Sequence, residues 1–265
     1  MLPRLGFVHV PKTAGTSVTN ALAQIYGDQM LSAMTTLDYA RRTPEQLECA
    51  RFYKGHAYRR DYEKWPADTV LFTVLRDPVA RAVSFYQYYR GLTVGPEQDD
   101  FTREAIGLAQ GSGVIEFIYS DSPFIIEHLR LGQLRQFMTS GTLAKVAHRQ
   151  FLTRALQDQV IEEFLGEATR FGYVMTTDYL PLHMRKMARD LALTDLPMKL
   201  PHDNASIEAG PVSLSDVRRA LVDVSGAEFT CYDHVRRAEA RILVDWGQEE
   251  SSSFLKKRTK KLLLC

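Results

Sequence analysis

The chain predicts an α/β layered fold, with a central, mostly parallel sheet flanked by helices, a helical insertion and a helical C-terminal part. Three observations carry this. Leu5 to Val10 and Thr69 to Leu75 are short apolar runs, the second rich in β-branched residues, of the kind found in strands buried on both faces. Each run leads straight into a helix-start signal: the hydroxyl-rich Thr13–Ser17 in the first case, Asp77-Pro78 in the second. Strand and helix signals then alternate along the chain, which argues for layers of helix on sheet.

The elements follow in order. After the strand from Leu5 to Val10, Ser17 to Tyr26 places Val18, Ala21, Leu22 and Ile25 on one helical face, and Gly27-Asp28 ends that helix. Thr35 to Cys49 is polar, contains Pro44 and predicts one short helix. Arg51 to Lys54 predicts a second strand, and Thr69 to Leu75 is the strongest strand signal of all. From about Phe101 to Gly166 the pattern is helical, with breaks at Gly111-Ser112-Gly113 and at Ser140-Gly141. Tyr173 to Thr176 predicts a late strand, followed by a helix from about Leu180 to Leu191. Pro197 to Pro211 is loop-like, and Ser213 to Leu221 and Ser225 to Trp246 predict two helices. Residues 1–250 read as a single domain. Residues 251–265 read as a basic tail carrying Lys256, Lys257, Arg258, Lys260 and Lys261, a candidate peripheral membrane contact.

The totals narrow the function. A hydrophobic content of 45% and a charged content of 25% are those of an ordinary globular protein. A net charge of +1 rules out bulk electrostatics as a binding strategy, so no nucleic-acid partner is expected and any anion site is local. Cys49, Cys231 and Cys265 have no metal-ligand spacing and are odd in number, against a disulfide framework. Met1 to Leu5 is too quickly polar for a signal peptide, and no apolar run reaches the roughly 18 residues of a membrane span. A cytoplasmic location is the expectation. Oligomeric state leaves no mark in the sequence.

Three constellations point to chemistry. In His9-Val10-Pro11-Lys12-Thr13-Ala14-Gly15-Thr16-Ser17 a strand enters a turn that opens a helix. A helix N-terminus offers free N–H groups and partial positive charge to an anion. Ala14 and Gly15 allow close approach, Thr13, Thr16 and Ser17 add hydroxyls, and Lys12 adds a mobile charge. The lysine precedes the glycine, so this is not the Walker order G-x-x-x-x-G-K-[ST]. The plainer reading is a helix start capped by its own hydroxyls. The second constellation is Arg76-Asp77-Pro78…Ser84. Arg76 stands where a buried strand ends, and ligands of open α/β sheets bind at those ends. Ser84 follows about two helical turns on, so both can face a second anion. A salt-bridging arginine with a neutral serine is the plainer alternative. The third is Lys54-Gly55-His56-Ala57-Tyr58-Arg59-Arg60. His56 suits proton abstraction near neutrality because its reference pKa is about 6.5. A packed structural histidine is the alternative, and Asp61 and Glu63 lie just beyond. Arg59 and Arg60 are candidate acceptor-binding residues, or a solvated pair. His9 reads as packed rather than catalytic.

The pairing of Pro-Lys-Thr-Ala-Gly-Thr-Ser with Arg-Asp-Pro…Arg-Ala-Val-Ser-Phe-Tyr resembles the two nucleotide signatures of sulfotransferases that use 3′-phosphoadenosine 5′-phosphosulfate (PAPS). It is most similar to the carbohydrate branch that includes heparan sulfate 2-O-sulfotransferases. The resemblance implies a P-loop-like three-layer fold, PAPS as donor substrate, no metal, and a hydroxyl-bearing acceptor of carbohydrate type. It implies that Lys12, Thr13, Ala14, Gly15, Thr16 and Ser17 hold the 5′-phosphosulfate and that Arg76 and Ser84 hold the 3′-phosphate. By the same resemblance Lys12 and His56 are the catalytic residues, although some members use a carboxylate as base. Asn204 and Ser206 resemble a late segment near the nucleotide. Two other classes stay open: a P-loop kinase or nucleotide hydrolase, since Thr69 to Asp77 superficially resembles a strand ending in a magnesium-site aspartate, and a non-catalytic nucleotide-binding scaffold.

Overall fold

The computed structural model describes residues 1–33, 36–147, 149, 151–194, 196 and 213–262. Its strands are β1 (Leu5–Val8), β2 (Met30–Ala33), β3 (Phe52–Gly55), β4 (Val70–Leu75) and β5 (Tyr173–Thr176). The helices are α1 (Gly15–Tyr26), α2 (Thr36–Ala40), α3 (Pro44–Cys49), α4 (Arg59–Tyr62), α5 (Pro78–Gly91) and α6 (Asp100–Gly111). They continue with α7 (Val114–Tyr119), α8 (Pro123–His128), α9 (Ser140–Val146), α10 (Arg154–Ala168), α11 (Leu180–Asp190) and α12 (Leu214–Leu262).

The strands form one sheet in the order β2-β3-β1-β4-β5. Every neighbouring pair is parallel, so all five carboxyl ends lie on one edge. Alternation along each strand then assigns the faces. Leu5, Phe7, Phe52, Phe72, Val74 and Met175 pack against Val18, Leu22 and Tyr26 of α1 and Leu180, Met184 and Met187 of α11. On the opposite face Val8, Tyr53, Leu71 and Leu75 meet Val160 and Phe164 of α10 and Ala227, Cys231 and Val235 of α12. This is the expected helix–sheet–helix layering. A third cluster joins α5 to α8 and the start of α12, around Phe85, Tyr86, Phe117, Ile125 and Val217. Burial of each large apolar side chain contributes roughly 1.5–3 kcal/mol, and these clusters supply most of the driving force.

Several expectations need correction. β2 was not expected, because Met30-Leu31-Ser32-Ala33 is a short edge strand with a solvent-facing Ser32 rather than an apolar run. Two helices, not one, occupy the polar stretch before Cys49, and Thr43 caps the second in a capping box with Gln46. The helical middle breaks near Ser140-Gly141 as expected, over residues 129–139, which precede that pair. Thr139 accepts from the Thr142 N–H and starts α9, so that serine–glycine pair begins a helix instead of ending one. The two expected C-terminal helices are both present within α12, and they meet at a kink where Ser225 is non-helical, with φ −146° and ψ 31°. Backbone helix runs on through the basic tail as far as Leu262. Among the described residues no helix is long and apolar enough to cross a membrane. Cys49 is exposed and Cys231 buried, both as free thiols.

One glycine is dictated by packing. A Cβ on Gly55 would stand 1.7 Å from the Ala33 carbonyl oxygen, on the backbone of the neighbouring strand. Gly55→Ala is therefore expected to destabilise the fold by about 3 kcal/mol in urea unfolding, because a strand rather than a side-chain tip must move. A midpoint unchanged from the parent would contradict this packing.

Candidate functional site

The carboxyl edge of the sheet gathers the three constellations. β1 ends at Val8 and leads into the His9–Ala14 turn. β3 ends at Gly55, directly before His56, and β4 ends at Leu75, directly before Arg76. The central position of β1, between β3 and β4, is what places these segments side by side.

The turn is backbone-strained. Lys12 and Ala14 both have positive φ, 68° and 63°, at a cost of about 1–2 kcal/mol each for residues with a side chain. Ala14 is the N-cap of α1 and gives it no side-chain cap. The hydroxyl-capped helix start is thereby corrected: Thr13 instead donates to the Val10 carbonyl at 2.8 Å and is fully buried. Its hydroxyl shapes the turn, and its hydroxyl proton is spent there. The first N–H groups of α1, from Gly15 to Ser17, keep no helical acceptor, and the first helical bond runs from the Val18 N–H to the Ala14 carbonyl. Thr16 is exposed and Ser17 buried at this end. Gly15 has a further reason to be glycine. A Cβ there would lie 1.7 Å from His9 Nε2, so the His9 ring occupies the side-chain space.

Positive charge converges on this end. The Lys12 ammonium lies 4.1 Å from the centre of the Tyr88 ring on α5. Such a contact contributes about 0.5–1 kcal/mol at an exposed site. Arg76 Nη1 donates to the Lys12 carbonyl at 3.2 Å, which joins the two loops. Burial and the neighbouring Arg76 both lower the Lys12 pKa, and burial foremost lowers that of Arg76. Among the described residues neither cation has a carboxylate in ion-pair range. Two half-buried cations held together with no carboxylate in ion-pair range, beside N–H groups that have no helical acceptor, fit an anionic ligand. Ser84 is buried on α5, one turn before Tyr88 and on the same helical face. Asp77 caps α5 by accepting from the Ala80 N–H at 2.9 Å.

His56 stacks on His9 with centroids 4.6 Å apart, and His9 stacks in turn on Phe7 at 5.2 Å. His56 Nδ1 lies 2.9 Å from the His9 carbonyl. That carbonyl can only accept, so Nδ1 carries the proton and Nε2 presents a lone pair. Burial, only partly offset by this hydrogen bond, lowers the His56 pKa, which keeps the ring neutral near pH 7. The rival bases are engaged elsewhere. Asp61 accepts from the Tyr58 N–H at 2.9 Å and is buried, and Glu63 accepts from Arg59 at 2.8 Å. His9 is packed as expected, with its pKa driven well down by burial and then by His56, Lys54 and Lys12.

These rings make stability depend on pH. His9, His56 and His128 all have lowered values in the fold, with burial as the first cause in each. A lowered histidine value means that the unfolded chain takes up protons first as pH falls below about 6.5. Stability is therefore full above 6.5 and drops below it, before the carboxylates titrate. Unfolding midpoints in urea at pH 7.5 and 5.5 test this: the second is expected to be lower, and His128→Gln to narrow the gap. Equal midpoints would contradict the buried neutral rings.

The remaining candidates divide. Arg59 is paired with Glu63 and, at 3.2 Å, with the buried Glu167, an ion pair that links α4 to α10. Arg60 is exposed, 6.0 Å from the Tyr58 ring, and is free to meet an acceptor. Asn204 and Ser206 lie outside the described residues. Sequence reasoning missed Lys54, Tyr88 and His128. Lys54 is half-buried on β3 in register with Phe7, and its charge acts on both His9 and His56. The Lys-Gly-His order was the available signal. His128 ends α8, and its charge acts on His56 from 72 positions away, a relation that no local pattern reveals.

Residues 3–104 match the model of the sulfotransferase family. No curated protein sequence matches the chain. Among solved structures, mouse sulfotransferase SULT7A1 complexed with PAP is similar at 12% identity and a TM-score of 0.35, over 86% of this chain and 66% of that chain. The segment similar to the sulfotransferase family, less than half of the chain, contains Lys12 to Ser17, Lys54, His56, Arg76, Ser84 and Tyr88.

Proposed function

We propose that this protein is a sulfotransferase that moves the sulfuryl group of PAPS to an acceptor hydroxyl, on a carbohydrate or glycoconjugate. The observation that carries the reading is the junction of the Lys12 and Arg76 loops at the uncapped start of α1, with the His56 lone pair beside it. One phosphate would need one cationic loop. Two loops joined at this distance suit a ligand with anionic groups at both ends, as PAPS has.

In this reading the backbone of Lys12 to Ser17 cradles the 5′-phosphosulfate, and Arg76 with Ser84 takes the 3′-phosphate. The acceptor oxygen bonds to sulfur as the bond from sulfur to the bridging phosphate oxygen breaks. The acceptor proton passes to His56 Nε2. Lys12 neutralises the charge that grows on the bridging oxygen, and adenosine 3′,5′-bisphosphate leaves. His56 does not compete for protons with solvent near neutrality, because its pKa is lowered. Arg60 is the chain's own candidate for an anionic acceptor. The carbohydrate class rests on the motif resemblance. Residues 1–250 would act as the catalytic domain, and the basic residues 251–265 as an extension able to meet an anionic surface.

Radiolabelled PAPS offered with a panel of glycans, glycolipids and small alcohols tests the reading. Label transferred to a hydroxyl acceptor is the expected result. Magnesium-dependent ATP turnover without PAPS binding would replace the reading by a kinase or hydrolase. Binding of the bisphosphate with no transfer across the panel would point to a scaffold.

A further inference from the structure

Arg76 stands one residue beyond the end of β4, where the sheet no longer satisfies its backbone. Gln133, from the segment between α8 and α9, takes over that task. Its Oε1 accepts from the Arg76 N–H at 2.8 Å, and its Nε2 donates to the Arg76 carbonyl at 3.0 Å. A side-chain amide thus imitates a strand neighbour for a single residue. Gln133 is buried, and its own N–H donates to Glu228 Oε1 of α12 at 2.7 Å. Two residues earlier, the Leu131 N–H donates to Ser225 Oγ at 3.1 Å, at the kink of α12. Glu228 also faces the fully buried Arg81 at 3.6 Å, and Arg81 donates to the His128 and Leu129 carbonyls. A hydrogen-bonded path therefore runs from α12 through residues 129–133 to Arg76.

Such a path is costly to bury and is not needed to fill space. Apolar side chains of similar volume would stabilise the fold as well or better. What it supplies is direction: it fixes the Arg76 backbone so that the guanidinium reaches the Lys12 carbonyl. Gln133 and Glu228 both lie outside residues 3–104, so the segment similar to sulfotransferases does not by itself complete the Arg76 loop.

We propose that Gln133, held by Glu228, is a positioning residue that sets Arg76 for the 3′-phosphate of the donor. This rests on the donor-site reading given above. Gln133→Met keeps the volume and removes both bonds. Calorimetric affinities are compared for adenosine 3′,5′-bisphosphate and for adenosine 5′-phosphosulfate, which lacks the 3′-phosphate. About a tenfold loss is expected for the first ligand only, with no further loss on an Arg76→Ala background. Gln133→Leu likewise removes both bonds without adding charge, and it serves for the same comparison if the methionine variant does not fold. Unchanged bisphosphate affinity, equal losses for both ligands, or losses that add to that of Arg76→Ala would overturn the proposal. If the parent protein does not bind the bisphosphate, or Arg76→Ala binds it as well as the parent, the donor-site reading itself fails.

Discussion

Lys12→Ala is expected to lower kcat for sulfuryl transfer by about 100- to 1000-fold, the usual cost of removing one preorganised group that stabilises developing charge. The substitution is unusually clean. Residue 12 keeps a side chain and so keeps the same backbone preference at φ 68°, and the turn is held by Thr13 on Val10 and by Arg76 on the Lys12 carbonyl, not by the ammonium. Within the folded protein the ammonium is half-buried and repelled by Arg76, as its lowered pKa records. Its cation–π contact with Tyr88 is a small compensation. The charge is therefore held in place for a ligand at little benefit to the fold. The melting temperature of the variant should match or exceed that of the parent while turnover collapses. A variant that turns over normally would remove Lys12 from the mechanism. One that loses turnover only by unfolding would make it structural.

His56→Ala is expected to lower kcat by about 100- to 10,000-fold, the range of a general base. Its signature is the pH profile. With its pKa lowered by burial, His56 is already neutral near pH 7, so the parent's rate should be flat there and fall only as pH drops through the lowered value. The variant should lose that acid limb along with its rate. A parent profile still rising through pH 8 would require a different base. Asp61 accepts from the Tyr58 N–H, and Glu63 pairs with Arg59 and Arg170.

Much of this arrangement is legible in the sequence, for identifiable reasons. β1, β4 and β5 are buried strands whose apolar runs need no partner to be recognised, and Pro78 and Gly27 mark helix ends by their own backbone preferences. The Lys12 turn and Arg76 are local patterns tied to such strands. What escaped depends on tertiary contact. β2 is an edge strand with little apolar signal, and the hydroxyl of Thr13 turns inward where local rules would have it cap α1. Arg59 looks free beside Arg60, and only the fold brings Glu167 to it across 108 positions. Gln133 carries no motif at all. Its role exists because α12 returns to the carboxyl edge of the sheet and places Glu228 behind it.

The central claim is that the joined Lys12 and Arg76 loops form a site for a nucleotide with anionic groups at both ends. Titration calorimetry with adenosine 3′,5′-bisphosphate tests it most directly, on the full chain and on Arg76→Ala. The account predicts one site per chain in the parent and affinity at least about tenfold weaker in the variant, as loss of a charged phosphate contact requires. Absence of binding by the parent, or equal binding by both proteins, would contradict it.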